Sequence, residues 1–113
     1  MIKLYGVPNC KQITQTKEYF ASNKIDYEFI NVKKEPVPAK QLREVIRQLG
    51  HDKVINKKGL TYRKLGLKEK NLTPEEEFSY LLEEQGMIKR PLIEKEGRYW
   101  IGFDPERMKS FLK

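Results

Sequence analysis

The chain has 113 residues, enough for one domain with a hydrophobic core of its own. Its 23 Lys and Arg outnumber 16 Asp and Glu, a formal charge of +7, and 6 Tyr, 5 Phe and 1 Trp supply too much bulk for a disordered chain. A single cysteine allows no internal disulfide, one His and one Cys are too few soft ligands for a structural metal site, and no apolar run is long enough to cross a membrane. The opening residues Met1 to Gly6 lack the pattern of a signal peptide, so the expectation is a lone thiol in a reducing cytoplasm.

Ile2 to Tyr5 alternate in apolar character before Gly6 and Pro8, which predicts a short strand ending in a turn. Lys11 to Asn23 contains no Gly or Pro and places Ile13, Tyr19 and Phe20 at helical offsets. Tyr27, Phe29, Ile30 and Val32 predict a second strand, completing a β-α-β unit whose strands run parallel. After Pro38, the apolar stripe Leu42, Val45, Ile46 and Leu49 predicts a helix stopped by Gly50. A shorter helical stretch follows Gly59. Thr73-Pro74-Glu75-Glu76 combines a capping Thr, Pro at the first helical position and acids in the first turn, and that helix runs to Gly86 with Phe78, Leu81 and Leu82 inward. Pro91 to Glu94 and Tyr99 to Gly102, joined by Glu96-Gly97-Arg98, predict an antiparallel hairpin. Asp104 then caps a last helix that buries Met108, Phe111 and Leu112. Tyr5, Tyr99 and Trp100 are expected in the core.

The basic residues are unevenly placed. Lys53, Lys57, Lys58, Arg63, Lys64, Lys68 and Lys70 are opposed within their segment only by Glu69, and the next segment is acidic. Adjacent blocks of opposite sign, without an aromatic RNA-binding motif or a glycine-rich phosphate loop, argue against a nucleic-acid binder and for a solvated surface.

Cys10 lies between the first strand and the first helix, flanked by Asn9 and Lys11. A thiolate there meets unpaired backbone N–H groups and the positive end of the helix dipole, and Lys11 adds charge, so the ionised, nucleophilic form is favoured. Its polar neighbours set it apart from a buried structural cysteine. Arg90, before Pro91, is the natural partner of an anionic substrate or of the thiolate. His51 stands far from Cys10 along the chain and gives little support to a Cys-His dyad; Asp52 is expected to pair with Lys53 or to cap the next turn.

Leu4-Tyr5-Gly6-Val7-Pro8-Asn9-Cys10, Asn56-Lys57-Lys58-Gly59, Tyr62 to Leu67, Arg90-Pro91-Leu92-Ile93 and Gly102-Phe103-Asp104 together resemble the ArsC/Spx/YffB family, in order and over almost the whole chain. The resemblance implies one α/β domain of thioredoxin-like fold, β-α-β … β-β-α around a four-stranded mixed sheet. Its core would be residues 1–35 and 88–113, with an inserted helical block at 36–87 and Pro91 as a cis-proline. It further implies a bacterial, cytoplasmic, thiol-dependent reductase related to arsenate reductases. Cys10 would be the nucleophile and Arg90 its anion-binding partner, while Asn9, Lys11, Lys57, Lys58 and Pro91 bind the thiol or substrate. No cofactor or metal is expected to be bound.

Two further arginines of the glutaredoxin-coupled arsenate reductases are replaced here, at Asn56 and Gly102, which leaves Lys57 or Lys58 as a point charge in place of a bidentate grip. The Spx branch carries a Cys-x-x-Cys switch, whereas the fourth position here is Ile13, which looks closer to YffB-like proteins. The expected chemistry is therefore monothiol exchange with a small disulfide or oxyanion, resolved by an external thiol such as glutathione or by a glutaredoxin-like protein, with the chain acting as a monomer. The alternative is an Spx-like regulator that binds RNA polymerase without turnover. Gly50 would mark the polymerase contact in that case, and is an ordinary helix cap otherwise.

Overall fold

In the computed structural model, which describes residues 1–113, the alternating stretch at the N-terminus forms β1 (Ile2–Gly6). It passes through a tight loop into α1 (Lys11–Ser22) and returns as β2 (Tyr27–Asn31), parallel to β1 in the register Leu4 to Phe29. Four helices follow: α2 (Ala39–Leu49), α3 (His51–Val54), α4 (Leu60–Lys64) and α5 (Pro74–Glu83). The chain then re-enters the sheet as the hairpin β3 (Leu92–Lys95) and β4 (Arg98–Ile101), and ends in α6 (Pro105–Leu112). The sheet order is β2-β1-β3-β4, with β3 antiparallel to both β1 and β4. This is a thioredoxin-like α/β fold, a four-stranded mixed sheet with a helical block between β2 and β3.

The two faces of the sheet bury two clusters. Leu4, Ile13, Phe20, Ile93 and Met108 pack α1 and α6 onto one face. Tyr5, Ile30, Leu92 and Tyr99 face the helical block, which contributes Leu42, Val45, Val54, Tyr62, Phe78 and Leu81. The α2 stripe behaves as its spacing predicts: Leu42 and Val45 are fully buried, and Ile46 and Leu49 pack at the margin. Thr73 forms a complete capping box with Glu76, and the Asp104 carboxylate accepts from the Arg107 N–H.

Several local expectations are corrected. Helix α5 stops at Glu83, and the residues before Ile88 form a separate 3₁₀ turn, Gln85–Met87. That turn is held because the buried Gln85 amide accepts from Val37 N–H and donates to Val37 C=O. Trp100 is half-buried: its Nε1 donates to Gly102 C=O and its ring lies against Phe111. Asp52 pairs with Lys57, 3.3 Å away, and not with Lys53. Ile55, which no local pattern marks as extended, bridges to Ile88 and ties the helical block to the approach of β3.

Candidate functional site

Strand direction brings the singled-out residues to one edge. Strands β1 and β2 are parallel, and β4, antiparallel to β3, runs the same way, so all three end at the edge where β3 begins. Cys10 follows the end of β1, Lys33 the end of β2, Arg90 and Pro91 precede β3, and Gly102 follows β4. Backbone bonds fasten these ends: Val32 N–H donates to Gly6 C=O at 3.0 Å, and Gly102 N–H to Pro91 C=O at 2.9 Å. The Arg90–Pro91 peptide is cis, and Pro91 is buried.

Cys10 is the N-cap residue of α1, with extended backbone angles of φ −100° and ψ 133°, and its carbonyl accepts the first helical bond, from Thr14 N–H. No side chain caps this helix start, which leaves its first N–H groups turned toward the thiol's surroundings. The thiol is partly exposed; one side rests on the Leu4–Phe20–Met108 cluster. The Sγ–H donates to Gln12 Oε1 at 3.1 Å. Asn9, just before it, is exposed and holds the loop with a left-handed φ of 64°, a conformation Asn tolerates better than most residues. Lys11, the first residue of α1, is exposed.

Arg90 is half-buried along its stem, which passes close to Gly6. It makes no ion pair, unlike Arg43, Arg47, Lys57 and Arg107, each of which has a carboxylate partner. With Asn56, Lys89, Gly102 and Gln12, whose amide oxygen meets the thiol, it lines a depression of about 200 Å³. Asn56 and Gly102, where the family pattern would place guanidinium groups, are therefore both in the pocket wall, and neither supplies a charge.

The structure does not bring Lys57 and Lys58 to this pocket. Lys57 Nζ lies 3.3 Å from Asp52 and 3.9 Å from Glu77, and its pKa is held above the ordinary value, chiefly by the hydrogen bond to Asp52. Glu77 also sits 2.8 Å from His51 Nε2. Lys58 borders a separate depression with Arg63, Lys68 and Glu69. The reason is local: Asn56 Oδ1 accepts from Lys58 N–H and turns the chain so that Asn56, not the lysines, faces Arg90. His51, committed to Glu77, has no part in the thiol site.

Gln12 is the residue that sequence reasoning did not single out. The available signal was its place two residues into the helix that Cys10 caps, where a polar side chain can reach back to the cap.

Tyr5 and Tyr99 form a second polar group on the opposite face. Both hydroxyls donate to Glu94, and Gln41 Nε2 donates to the Tyr5 oxygen. Burial in the first place, with the Glu94 charge adding, pushes both phenols up to about 12.

The comparisons can now be set beside this geometry. A model of the ArsC family matches residues 5–111. The chain belongs to the ArsC family. It is similar to the global transcriptional regulator Spx of Listeria innocua, at 25% identity over 99% of this chain and 87% of the relative. An uncharacterized protein of Haemophilus influenzae is 29% identical over 97% of both chains. Among solved structures, the YFFB protein superposes with a TM-score of 0.91 at 28% identity, covering 100% of both chains. A possible arsenate reductase from Streptococcus mutans is 34% identical, with a TM-score of 0.79 over 91% of both chains. This ArsC-family chain thus has arsenate reductase-like and Spx-like relatives, and none of its helices is long and apolar enough to cross a membrane.

Proposed function

We propose that the chain is a thiol oxidoreductase that works through Cys10 alone. The observation that carries this reading is the partly exposed thiol at the head of α1, hydrogen-bonded to Gln12, which lines a cleft whose guanidinium, Arg90, has no carboxylate partner. The Cys10 thiolate attacks one sulfur of a small disulfide, forming a mixed disulfide and expelling the other half as a thiolate. A second thiolate, from glutathione or a glutaredoxin-like protein, attacks the substrate sulfur of that mixed disulfide and releases Cys10. Arg90 holds an anionic group of the substrate. With Asn56 and Gly102 in the wall, a carboxylated disulfide suits the site better than arsenate, whose oxyanion would meet one guanidinium only.

The test is intact-mass measurement after exposure to oxidised glutathione. One adduct is expected, located on Cys10 and removed by reduced glutathione. An unmodified chain, under conditions that modify a cysteine peptide in free solution, overturns the reading.

A second reading draws on the Spx relatives and on Gly50, which is exposed between α2 and α3 at φ 95° with open space around its Cα. There the chain would dock on RNA polymerase through this corner, and turnover would be dispensable. Purified polymerase retained equally by the chain and by Cys10→Ser, with no glutathione adduct on the unaltered chain, would favour the regulator.

A further inference from the structure

Strand β4 forms one edge of the sheet, and its outer side is not bare. Gly102 N–H points inward to Pro91 C=O, so strand alternation turns the backbone groups of Arg98 and Trp100 toward β3 and those of Tyr99 and Ile101 outward. The Gln48 side chain meets this outer side from α2: its Nε2 donates to Gly97 C=O at 2.9 Å, and its Oε1 accepts from Tyr99 N–H at 3.0 Å. A residue of a neighbouring parallel strand would make the same two bonds, to the carbonyl before Arg98 and the N–H after it. One carboxamide thus stands in for a fifth strand. Its orientation is fixed, since Nε2 also donates to Glu44 Oε2 at 2.8 Å.

An open strand edge is a template for pairing with another chain, and this one is self-complementary. Laid antiparallel on β4 of a second copy with Tyr99 opposite Tyr99, it sets Arg98 opposite Trp100 and Gly97 opposite Ile101. No like charges then face each other, and each arginine meets an aromatic ring. In that register the bonds run from Tyr99 N–H to Tyr99 C=O and from Ile101 N–H to Gly97 C=O. Every one of them needs a Tyr99 N–H or a Gly97 C=O, the two groups that Gln48 holds. We propose that β4 is a latent pairing surface for a second copy of this chain, and that Gln48 is the plug that keeps it closed. The proposal is independent of the chemistry at Cys10.

Analytical ultracentrifugation and amide hydrogen exchange test it together. Gln48 belongs to neither core cluster, so Gln48→Ala leaves the packing intact. The unaltered chain is expected to sediment as a monomer with its Tyr99 amide protected at every concentration. Gln48→Ala is expected to move toward twice the monomer mass as concentration rises, more so at high salt because each copy carries +7. Its Tyr99 amide should exchange roughly tenfold faster than the parent's in dilute solution, the worth of one hydrogen bond, and slow again as the dimer forms. Ile101→Pro in the Gln48→Ala background removes an outward N–H and should restore the monomer without touching the bonds to β3. If that double variant does not fold, amide exchange in Gln48→Ala alone decides. A Gln48→Ala chain that stays monomeric up to about 1 mM, or that dimerises while its Tyr99 amide remains fast, overturns the proposal. So does a folded double variant that still dimerises, a Tyr99 amide in Gln48→Ala as slow as the parent's at every concentration, or an unaltered chain that dimerises as readily as the variant.

Discussion

Gly6 and Ile13 meet so closely that a Cβ on Gly6 would stand 2.8 Å from Ile13 Cγ1. Ile13 is 1% exposed and packs with Leu4, Phe20, Ile93 and Met108, so the third residue after Cys10 is a core position that seats α1 on the end of β1. The same contact that sets the helix behind the thiol also fixes a hydrocarbon where a second thiol would have to be. Gly6→Ala is expected to cost about 1–3 kcal/mol through overpacking. Ile13→Ala should cost about 2–5 kcal/mol by leaving a cavity. Urea unfolding under reducing conditions measures both, and a Gly6→Ala variant as stable as the parent would refute the packing argument.

Arg90 offers a test of charge recognition. Arg90→Gln is expected to slow modification of Cys10 by oxidised glutathione roughly tenfold, the worth of a hydrogen bond to a charged group. Arg90→Lys should recover only part of the rate, because an ammonium lacks the planar fork. Stopped-flow rates as a function of disulfide concentration check this; equal rates in all three proteins would remove Arg90 from the site.

The phenols of Tyr5 and Tyr99 predict an alkaline limit to stability. Below pH 10, the ordinary value, both folded and unfolded chains keep these protons, and the pair contributes no pH dependence. Between 10 and about 12 the unfolded chain releases them while the folded chain holds them, so stability falls as pH rises. Tyr5→Phe should flatten that fall. Unfolding midpoints at pH 9, 10 and 11 would show it, and a midpoint independent of pH over that range would contradict the burial of these hydroxyls against Glu94.

The capping box at the head of α5 gives a prediction confined to one helix. Thr73 Oγ1 accepts from Glu76 N–H at 3.2 Å, and Glu76 Oε1 accepts from Thr73 N–H at 3.0 Å. These bonds hold the Glu76 carboxyl below its ordinary pKa, the Thr73 backbone bond first. Thr73→Ala is expected to cost about 1 kcal/mol, and Thr73→Ser much less. Thermal unfolding of the two variants separates a lost cap from a lost methyl group.

Much of the architecture was readable from local chemistry. Periodicity located α1, α2 and the hairpin, and Thr73-Pro74 and Asp104-Pro105 marked two helix starts, because a cap acts within its own few residues. The meeting of Cys10 and Arg90 at one end of the sheet was legible for a similar reason: each stands beside a strand end, where a fold of this order gathers its loops. Lys57 was misplaced because its partners, Asp52 and Glu77, lie on α3 and α5, and only the turn set by Asn56 decides which way a surface lysine points.

The hydrocarbon at position 13 bears on what oxidation can mean for this molecule. A chain with a paired sulfur can hold an oxidising equivalent privately, in a state that looks the same whatever produced it. With Ile13 walled in by Gly6 and the core, Cys10 can be held oxidised as a disulfide only as half of a conjugate, and the other half is the molecule it last met. That disulfide state is consequently a record with an author: recovered from cells without reduction, its mass names the partner.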